Sequence, residues 1–418
     1  MAIYILFEGF SHGLSAIPYG AAIFKLMVSV LALYLLKRFF GGATYASDRL
    51  MHSKVVMITG GTSGVGAAVA RALALKGAQI VLLTHHAPSD PFLVDFVMDL
   101  REQTNNELIF AEQVDLSSLH SIRLFATKWI DNAPPRRLDM LILCAATMTP
   151  LFNKVQDETE DGVEVNWGVN YLANFHLLSI LSPALRAQPP DRDVRVIMAT
   201  CSSYVTGTLD LKDEEFQERG FASAKKARTS AYGASKLALM IFAHSFQQHL
   251  TAYQRPDKQP PNARVYLVDP SWTRTPGMRR FLTGGSLWGL LLYLLTWPLW
   301  WLVLKSPEQG AQGFLRAATD PELGIGVGGK LLRECKEAML LREEVRDEGV
   351  GKELWGVSEK MIESLEKEGV ERRKREKEPV KNAEGGGMEA KEKASGAGKS
   401  VGGGSKASSR SKRNRKAA

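Results

Sequence analysis

Cysteine is scarce in this chain of 418 residues, and the few cysteines follow no pattern. Cys144, Cys201 and Cys335 are an odd number at wide and irregular spacing. Such a set offers neither a disulfide framework nor the spacing of a zinc site, so we expect no structural metal. We interpret the three residues as reduced thiols of a protein that faces the cytosol.

Acidic residues are absent from the end of the chain. From Lys393 onward only basic charges occur, and this stretch accounts for the formal net charge of +8. A solvated tail attracted to anionic lipid headgroups explains it more simply than a nucleic-acid partner, and we expect no nucleic acid. Residues 381–418 are predicted to be a disordered basic tail, which follows a charged helical extension over residues 341–380.

The N-terminus lacks the basic start and the small-residue cleavage site of a secretory signal. It contains an apolar run from Ile17 to Leu36, interrupted only by Lys25 and followed by Lys37 and Arg38. A membrane span needs roughly 20 apolar residues, so residues 1–42 are predicted to be a membrane anchor. The basic residues after the run favour a catalytic body on the cytosolic side.

A second apolar segment, Phe281 to Leu304, contains four tryptophans and no charged residue. Its length fits a span, but Pro298 and its position inside a folded region favour an element that lies in the membrane interface, where Trp is enriched. The alternative is a substrate-pocket helix that the protein itself covers.

Between residues 54 and 335, short aliphatic runs alternate with amphipathic stretches. This alternation predicts an α/β fold with a doubly wound parallel sheet of the Rossmann type, in a single catalytic domain with membrane-associating segments. The six candidate strands are VVMIT, QIVLL, LIFAEQVDL, LDMLILCA, VRVIMAT and ARVYLVD.

A glycine-rich loop follows the first candidate strand and opens an amphipathic run. Gly60, Gly64 and Gly66 suit a tight turn, a close backbone approach to a pyrophosphate and close packing of helix on strand. The helix N-terminus that begins with Ser63, Gly64 and Val65 offers free amides to the phosphate charge. Strand, loop and helix together predict a dinucleotide site.

A Tyr and a Lys lie one helical turn apart in YGASK. Tyr232 and Lys236 share a helix face, and the lysine charge favours the phenolate form of a tyrosine whose ordinary pKa, near ~10, is too high for a base at neutral pH. The pair is therefore a candidate for proton transfer to or from a substrate oxygen.

The loop spacing TGxxxGxG and the YxxxK motif resemble the short-chain dehydrogenase/reductase family over about residues 54 to 335. The resemblance implies that Asp115 lies near the adenine ring and that Asn170 supports a proton-relay water. It also implies that Lys236 holds the nicotinamide ribose and that Thr275 contacts the carboxamide. KSPEQGAQ and DGVEVNWGVNYLANFHL are similar to the retinol-dehydrogenase-like branch.

Two positions depart from the family pattern. A strict count along the fifth strand places Cys201 where the family has its catalytic Ser, but a thiol is a poor hydrogen-bond donor. We therefore predict Ser202 as the catalytic serine through a one-residue adjustment of the loop, with Ser203 and Thr200 as alternatives. The family's NNAG is reduced here to Leu143-Cys144-Ala145-Ala146, and Ala146 in place of Gly is expected to narrow the space beside the cofactor.

The second strand ends in Thr84, His85 and His86, where an acidic residue would select NAD. Without a carboxylate there to repel a phosphate, NADP is the predicted cofactor and NAD the alternative. The two histidines are otherwise ordinary solvated loop residues.

The predicted function is hydride transfer between NADP(H) and an alcohol or carbonyl of a hydrophobic substrate, such as a retinoid, sterol or long-chain lipid. The alternative is an NADP-binding scaffold, weak or inactive as a catalyst, at a membrane or lipid droplet. The predicted location is a membrane surface of the endoplasmic reticulum or a lipid droplet, and a homodimer is left open.

Overall fold

The computed structural model describes residues 19–150, 157–213, 216 and 224–396. Residues 1–18, with which the predicted anchor begins, and residues 397–418 of the predicted basic tail lie outside the described residues. The glycine-rich loop, Asn170 and the YGASK motif all lie inside them.

In the described residues, eight strands form one sheet in the order β3-β2-β1-β4-β5-β6-β7-β8. All neighbouring strands pair in parallel except β7 and β8, which are antiparallel. The predicted doubly wound parallel sheet is confirmed, and two short strands extend it at one edge. The strands are β1 (Val55–Thr59), β2 (Gln79–Thr84), β3 (Ile109–Gln113), β4 (Met140–Leu143), β5 (Val194–Ala199), β6 (Ala263–Asp269), β7 (Lys330–Arg333) and β8 (Lys336–Ala338).

Helices precede the sheet, cover both of its faces and follow it. A helical turn (Val165–Trp167) and a π-helical segment (Gly168–Leu172) lead into α5, and a 3-10 helix (Ser202–Thr206) follows β5. The described α-helices longer than one turn are α1 (Gly20–Gly41), α2 (Gly64–Leu75), α3 (Pro91–Thr104), α4 (Leu119–Ile130), α5 (Ala173–Arg186), α6 (Ala224–Ala252), α7 (Pro276–Thr283), α8 (Leu287–Leu295), α9 (Trp297–Val303), α10 (Pro307–Thr319) and α11 (Glu348–Gly396).

The central strands are buried on both faces because helices pack on each side. In β1, Val55 and Met57 belong to one apolar cluster, whereas Val56 and Ile58 belong to a second cluster on the opposite face. This alternation follows from the two-residue period of a strand. It explains why the strands read as continuous apolar runs, as is typical of buried parallel sheets.

The chain reverses its direction along the sheet between β3 and β4. Strands β1, β2 and β3 extend one way, and the chain then returns to place β4 on the other side of β1. In open α/β sheets, ligands bind outside the carboxyl ends of the strands at such a switch point. The loops after β1, β4 and β5 therefore mark the region of the candidate site.

The first turns of α11 belong to the core rather than to a separate extension. Leu354, Met361 and Leu365 are almost completely buried in the apolar cluster that contains α5 and α6. The compact unit accordingly ends at Glu366, beyond the predicted domain end at residue 335. A second unit begins at Lys367, and α11 extends to Gly396, past residue 381, where the basic tail is predicted to begin.

The two predicted membrane segments form helices with exposed apolar surfaces. Helix α1 exposes large apolar side chains around its circumference, and the 281–304 segment folds into the end of α7 and the two short helices α8 and α9. Lys37 connects α1 to the 281–304 segment: its ammonium group donates to the carbonyl of Leu304 at 3.3 Å and lies 4.9 Å from the ring centroid of Trp301. Among the described helices, none is long and apolar enough to cross a membrane.

Candidate active site

The glycine-rich loop has the close backbone contacts that its sequence predicts. Gly60 has φ +65°, and a Cβ there would lie 2.9 Å from the backbone of Ala145. A Cβ on Gly66 would lie 2.3 Å from the carbonyl oxygen of Gly60, so helix α2 can approach β1 this closely only without a side chain. The loop is therefore built for close backbone packing.

Helix α2 begins beside the loop with its first amides open to a ligand. Ser63 stands at the N-cap with an extended backbone, and its side chain caps no amide of α2 in the described structure. A Cβ on Gly64 would lie 3.1 Å from Cγ2 of Thr275, which places Thr275 directly at the loop. Val65 is partly buried against the apolar cluster under α10. The uncapped amides, the bare glycine backbone and Thr275 fit a dinucleotide pyrophosphate.

A carboxylate from the start of α3 contacts one of the two histidines that follow β2. His86 Nδ1 lies 2.8 Å from Oδ2 of Asp90, the N-cap residue of α3, and the rings of His85 and His86 have centroids 4.0 Å apart. The argument for NADP assumed that no carboxylate is present here. The structure corrects this assumption, because the turn into α3 brings Asp90 back to the histidine.

Asp115 lies just beyond β3, partly buried in a turn. One of its carboxylate oxygens accepts a hydrogen bond from the amide of Ser117 at 2.8 Å, and its own amide donates to the hydroxyl of Ser121 at 3.0 Å. Asp115 thus stands just past the carboxyl end of β3, the strand next to β2, and its contact with an adenine ring stays a prediction.

Tyr232 and Lys236 face the carboxyl ends of β5 and β6 from helix α6. The ammonium group of Lys236 is buried, donates to the carbonyl of Ala199 at 3.2 Å and lies 5.9 Å from the ring centroid of Tyr232. Burial lowers the pKa of Lys236, and nearby Cys201, Cys144 and Asp269 oppose this effect.

The phenol of Tyr232 is held in its protonated form. Burial raises the pKa of Tyr232 well above its ordinary value, and the Cys201 thiol and the Asp269 charge raise it further. The helical spacing predicted that Lys236 would instead favour the phenolate. The net shift runs in the opposite direction, because desolvation of the anion is its largest cause.

Asn170 lies in the π-helical segment before α5, completely buried. Its side-chain oxygen accepts from the Thr147 amide at 2.8 Å, and its amide nitrogen donates to the Thr147 carbonyl at 2.9 Å and to the Ser235 hydroxyl at 3.3 Å. Asn170 thus ties the loop after β4 to helix α6. π-Helical turns are rare and are frequent at functional sites.

The structure places Cys201, rather than Ser202, beside the tyrosine. The Cys201 thiol lies 3.5 Å from the Tyr232 hydroxyl. The Ser202 hydroxyl donates to Oδ2 of Asp269 at 3.2 Å and accepts from Arg333 at 3.3 Å. The contact predicted for Ser202 is therefore made by Cys201 in this structure, and the role of Ser202 as the catalytic serine stays a prediction. The alternative Thr200 is buried at the end of β5.

The segment that replaces NNAG is held by other side chains. The Ala145 amide donates to the hydroxyl of Thr59 at 3.2 Å, and Asn170 holds Thr147. Ala146 is exposed. Burial raises the pKa of the Cys144 thiol to about 12, so this cysteine stays protonated and acts as a small apolar residue. The missing asparagines are thus compensated locally.

Sequence reasoning missed a buried ion pair next to these residues. Asp269, at the end of β6, is 4% exposed, and Arg333 pairs with it in the β6–β7 register and by a salt bridge of 2.8 Å. The only sequence signal was an acidic residue at the end of an apolar strand, before Pro270. Because strand β7 was not predicted, its partner could not be identified.

Comparisons with known proteins agree with this geometry. The short chain dehydrogenase family profile matches residues 54–206. The uncharacterized oxidoreductase pbr1 of Schizosaccharomyces pombe is 42% identical over 352 residues, which cover 84% of this chain and 93% of that protein. Retinol dehydrogenase 13 of Mus musculus is 31% identical over 330 residues, 78% of this chain and 89% of that protein.

Solved structures share the fold at lower identity. The crystal structure of an uncharacterized protein from Mycobacterium paratuberculosis matches with a TM-score of 0.53 and 22% identity, over 77% of this chain and 98% of that chain. The nucleotide-binding sheet and the Tyr–Lys site define a dehydrogenase fold. The chain is an oxidoreductase of the short-chain dehydrogenase/reductase family, in its retinol-dehydrogenase-like branch.

Proposed function

We propose that the chain is an NADP(H)-dependent oxidoreductase that interconverts an alcohol and a carbonyl on a hydrophobic substrate, with Tyr232 as general acid and base. The observation that carries the proposal is the convergence of Tyr232, Lys236 and Asn170 at the carboxyl edge of the sheet, next to the glycine loop. When bound, the nicotinamide cofactor supplies or accepts the hydride.

The protonated phenol of Tyr232 suits it to give a proton to a carbonyl oxygen as negative charge develops there. Lys236, whose ammonium group donates to the Ala199 carbonyl, would hold the cofactor ribose. The Cys201 thiol lies on the other side of the phenol hydroxyl, where it can contact the substrate oxygen. Asn170 keeps the loop after β4 and helix α6 at a constant distance.

The preference for NADP rests on the end of β2. Thr84 ends the strand and His85 and His86 follow it, and none of the three side chains carries a negative charge that would repel a 2′-phosphate. Asp90 weakens the case for NADP, because its negatively charged carboxylate already contacts His86. NAD is therefore the alternative, and rates with the two cofactors decide between them.

A hydrophobic substrate and a membrane surface agree with the exposed apolar helices. Trp288 and Leu287 of α8 are 81% and 85% exposed, and α1 and α9 add further large apolar side chains to the surface. Contiguous exposed apolar surface in a folded protein marks an interaction site. A retinol dehydrogenase among the relatives acts on a lipid-like alcohol by its name, which supports a substrate of this class.

We infer from the same surface that the protein is attached to a membrane of the endoplasmic reticulum or to a lipid droplet, with the catalytic body in the cytosol. Helices α8 and α9 are too short to span a bilayer, so they suit an element lying in the interface. A homodimer is compatible with this arrangement.

The experiment that tests the proposal is NADPH oxidation by the purified full chain with aldehydes and ketones of retinoid, sterol and long-chain type. We expect turnover that Tyr232→Phe abolishes, by at least about a hundredfold, since a general acid contributes 10²–10⁴-fold. Tyr253→Phe is the matched control, because Tyr253 contacts only the distant Arg186 among its described ring contacts.

One alternative is favoured by a specific observation. A cysteine in the place of the family's serine weakens the hydrogen bonding at the substrate oxygen, which would suit a scaffold that binds NADPH without turnover. Tight NADPH binding without oxidation of the cofactor by any carbonyl of the panel would establish the scaffold and refute the enzyme.

A further inference from the structure

A buried carboxylate at the end of β6, that of Asp269, accepts three hydrogen bonds from residues of the neighbouring strand ends and loops. Oδ1 of Asp269 accepts from the Ser271 amide at 2.8 Å. Oδ2 accepts from Nε of Arg333 at 2.9 Å and from the Ser202 hydroxyl at 3.2 Å. Asp269 thus joins three neighbouring strand ends, those of β5, β6 and β7, at the edge where the candidate site lies.

One of these bonds reaches the residue that contacts the tyrosine. Ser202 is the first residue of the 3-10 helix, and it directly follows Cys201, whose thiol lies 3.5 Å from the Tyr232 hydroxyl. On its other side the 3-10 helix packs against α6 so closely that a Cβ on Gly233 would lie 2.9 Å from the Ser203 carbonyl oxygen. The segment is therefore held between α6 and Asp269.

The charged and titratable groups around Tyr232 come from several elements. Cys201 and Asp269 face it from the ends of β5 and β6, and Lys236 follows it on α6. Cys144 from β4 faces Lys236, and Arg333 from β7 faces Asp269. Asp269 is the one carboxylate in this described set, and its charge raises the pKa values of both Tyr232 and Lys236.

We propose that Asp269 and Arg333 form a positioning pair for the reaction: Asp269 holds the Cys201 segment against Tyr232 and keeps a buried negative charge beside the phenol, and Arg333 offsets that charge. The inference rests on the proposed function, since it assigns the pair to the tyrosine's proton transfer. Neither residue needs to touch the substrate for this role.

The pair predicts opposite effects of its two members on the titration of Tyr232. Asp269→Asn keeps the shape and removes the negative charge, so the phenolate forms more easily and the pKa of Tyr232 falls. Arg333→Gln leaves the carboxylate without its counter-charge, so the pKa rises. We expect shifts of at least about half a pH unit in each direction, since charges within a buried site move pKa values by this amount or more. Loss of a purely structural contact would not produce shifts of opposite sign.

The experiment measures two quantities on the full chain. The first is the pH dependence of NADP⁺-linked oxidation of the alcohol that corresponds to the best carbonyl substrate of the panel, a rate that rises as Tyr232 ionises. The second needs no substrate: it is the ultraviolet absorbance of tyrosinate against pH, assigned to Tyr232 by difference from Tyr232→Phe. Asp257→Asn is the matched control, because Asp257 pairs with Arg255 on a distant surface loop.

The outcomes separate the inference from the proposed function. Opposite shifts for Asp269→Asn and Arg333→Gln, with Arg333→Lys restoring the original midpoint, support the positioning pair. If all variants titrate Tyr232 at the same midpoint, or if both shifts have the same sign, the positioning pair is refuted, even when Tyr232→Phe is inactive. Full activity of Tyr232→Phe refutes the proposed function, and the absorbance titration still reports on the pair. Because about a third of the Arg333 side chain is exposed, Arg333→Gln and Arg333→Lys keep the test valid if Asp269→Asn does not fold.

Discussion

Replacing Cys201 by serine restores a strong hydrogen-bond donor where the structure places a weak one. The thiol lies 3.5 Å from the Tyr232 hydroxyl, longer than the ordinary 2.7–2.8 Å between two hydroxyl oxygens. A serine hydroxyl that contacts the same substrate oxygen as Tyr232 would add a hydrogen bond worth about 1 kcal/mol. If the bond strengthens in the transition state, this corresponds to a roughly fivefold higher kcat/KM.

The substitution also removes a group that raises the pKa of Tyr232. The Cys201 side chain raises that pKa through its electrostatic interaction and its hydrogen bond with the phenol. With Cys201→Ser, the alkaline limb of carbonyl reduction, where Tyr232 loses its proton, is therefore expected to move to lower pH. At neutral pH the phenol stays protonated in both forms, so the gain in rate remains visible there.

The assay is NADPH oxidation with the best carbonyl substrate, compared among Cys201→Ser, Cys201→Ala and Ser202→Ala. We expect Cys201→Ser to have a higher kcat/KM than the unaltered chain, and Cys201→Ala to have a lower one. Ser202→Ala is the matched control for the neighbouring hydroxyl, and we expect it to act only through Asp269, by a smaller factor. A Cys201→Ser protein that folds normally but gains no rate, together with a large loss in Ser202→Ala, would refute the assignment of Cys201 to the substrate side of Tyr232.

Two further predictions concern the cofactor loop and the apolar surface. Gly66→Ala should weaken NADPH binding at least about tenfold in a fluorescence titration, because its Cβ would lie 2.3 Å from the Gly60 carbonyl oxygen. Gly356→Ala is the control and should bind NADPH normally, because its Cβ would meet nothing within 4 Å outside its own helix backbone. Unchanged NADPH binding by Gly66→Ala would show that the cofactor site does not depend on close packing of α2 against the glycine-rich loop. Leu291→Glu should reduce flotation of the protein with anionic phospholipid vesicles several-fold, since burial of a Leu stabilises by about 1.5–3 kcal/mol. Met98→Glu on exposed α3 is its control, and equal losses would contradict docking through α8.

The features that could be predicted from the sequence are those that depend only on residues close together in the chain. The apolar runs of central strands such as β1 and β4 could be recognised because these strands are buried on both faces. The glycine loop could be recognised because close backbone contact excludes any side chain, which leaves only glycine at positions such as Gly66. Tyr232 and Lys236 lie on one helix, so their spacing predicts a shared face.

Features that depend on distant parts of the chain could not be predicted in this way. The short strand β7 has little pattern of its own, and only its pairing with β6 brings Arg333 to Asp269. The carboxylate of Asp90 reaches His86 because the turn into α3 folds back on the end of β2. The start of α11 reads as a charged extension, yet its apolar side chains bury against helices far earlier in the chain.

At Tyr232, too, the sequence determined some properties and the tertiary structure determined others. The sequence determined that a tyrosine and a lysine share a helix face beside a dinucleotide loop, since helical spacing and glycine requirements are properties of a few neighbouring residues. Which side chain meets the phenol, and whether its pKa rises or falls, followed from the tertiary structure alone. The fold brings Cys201 to Tyr232, and burial is the largest cause of the raised pKa because desolvation depends on everything packed around the group.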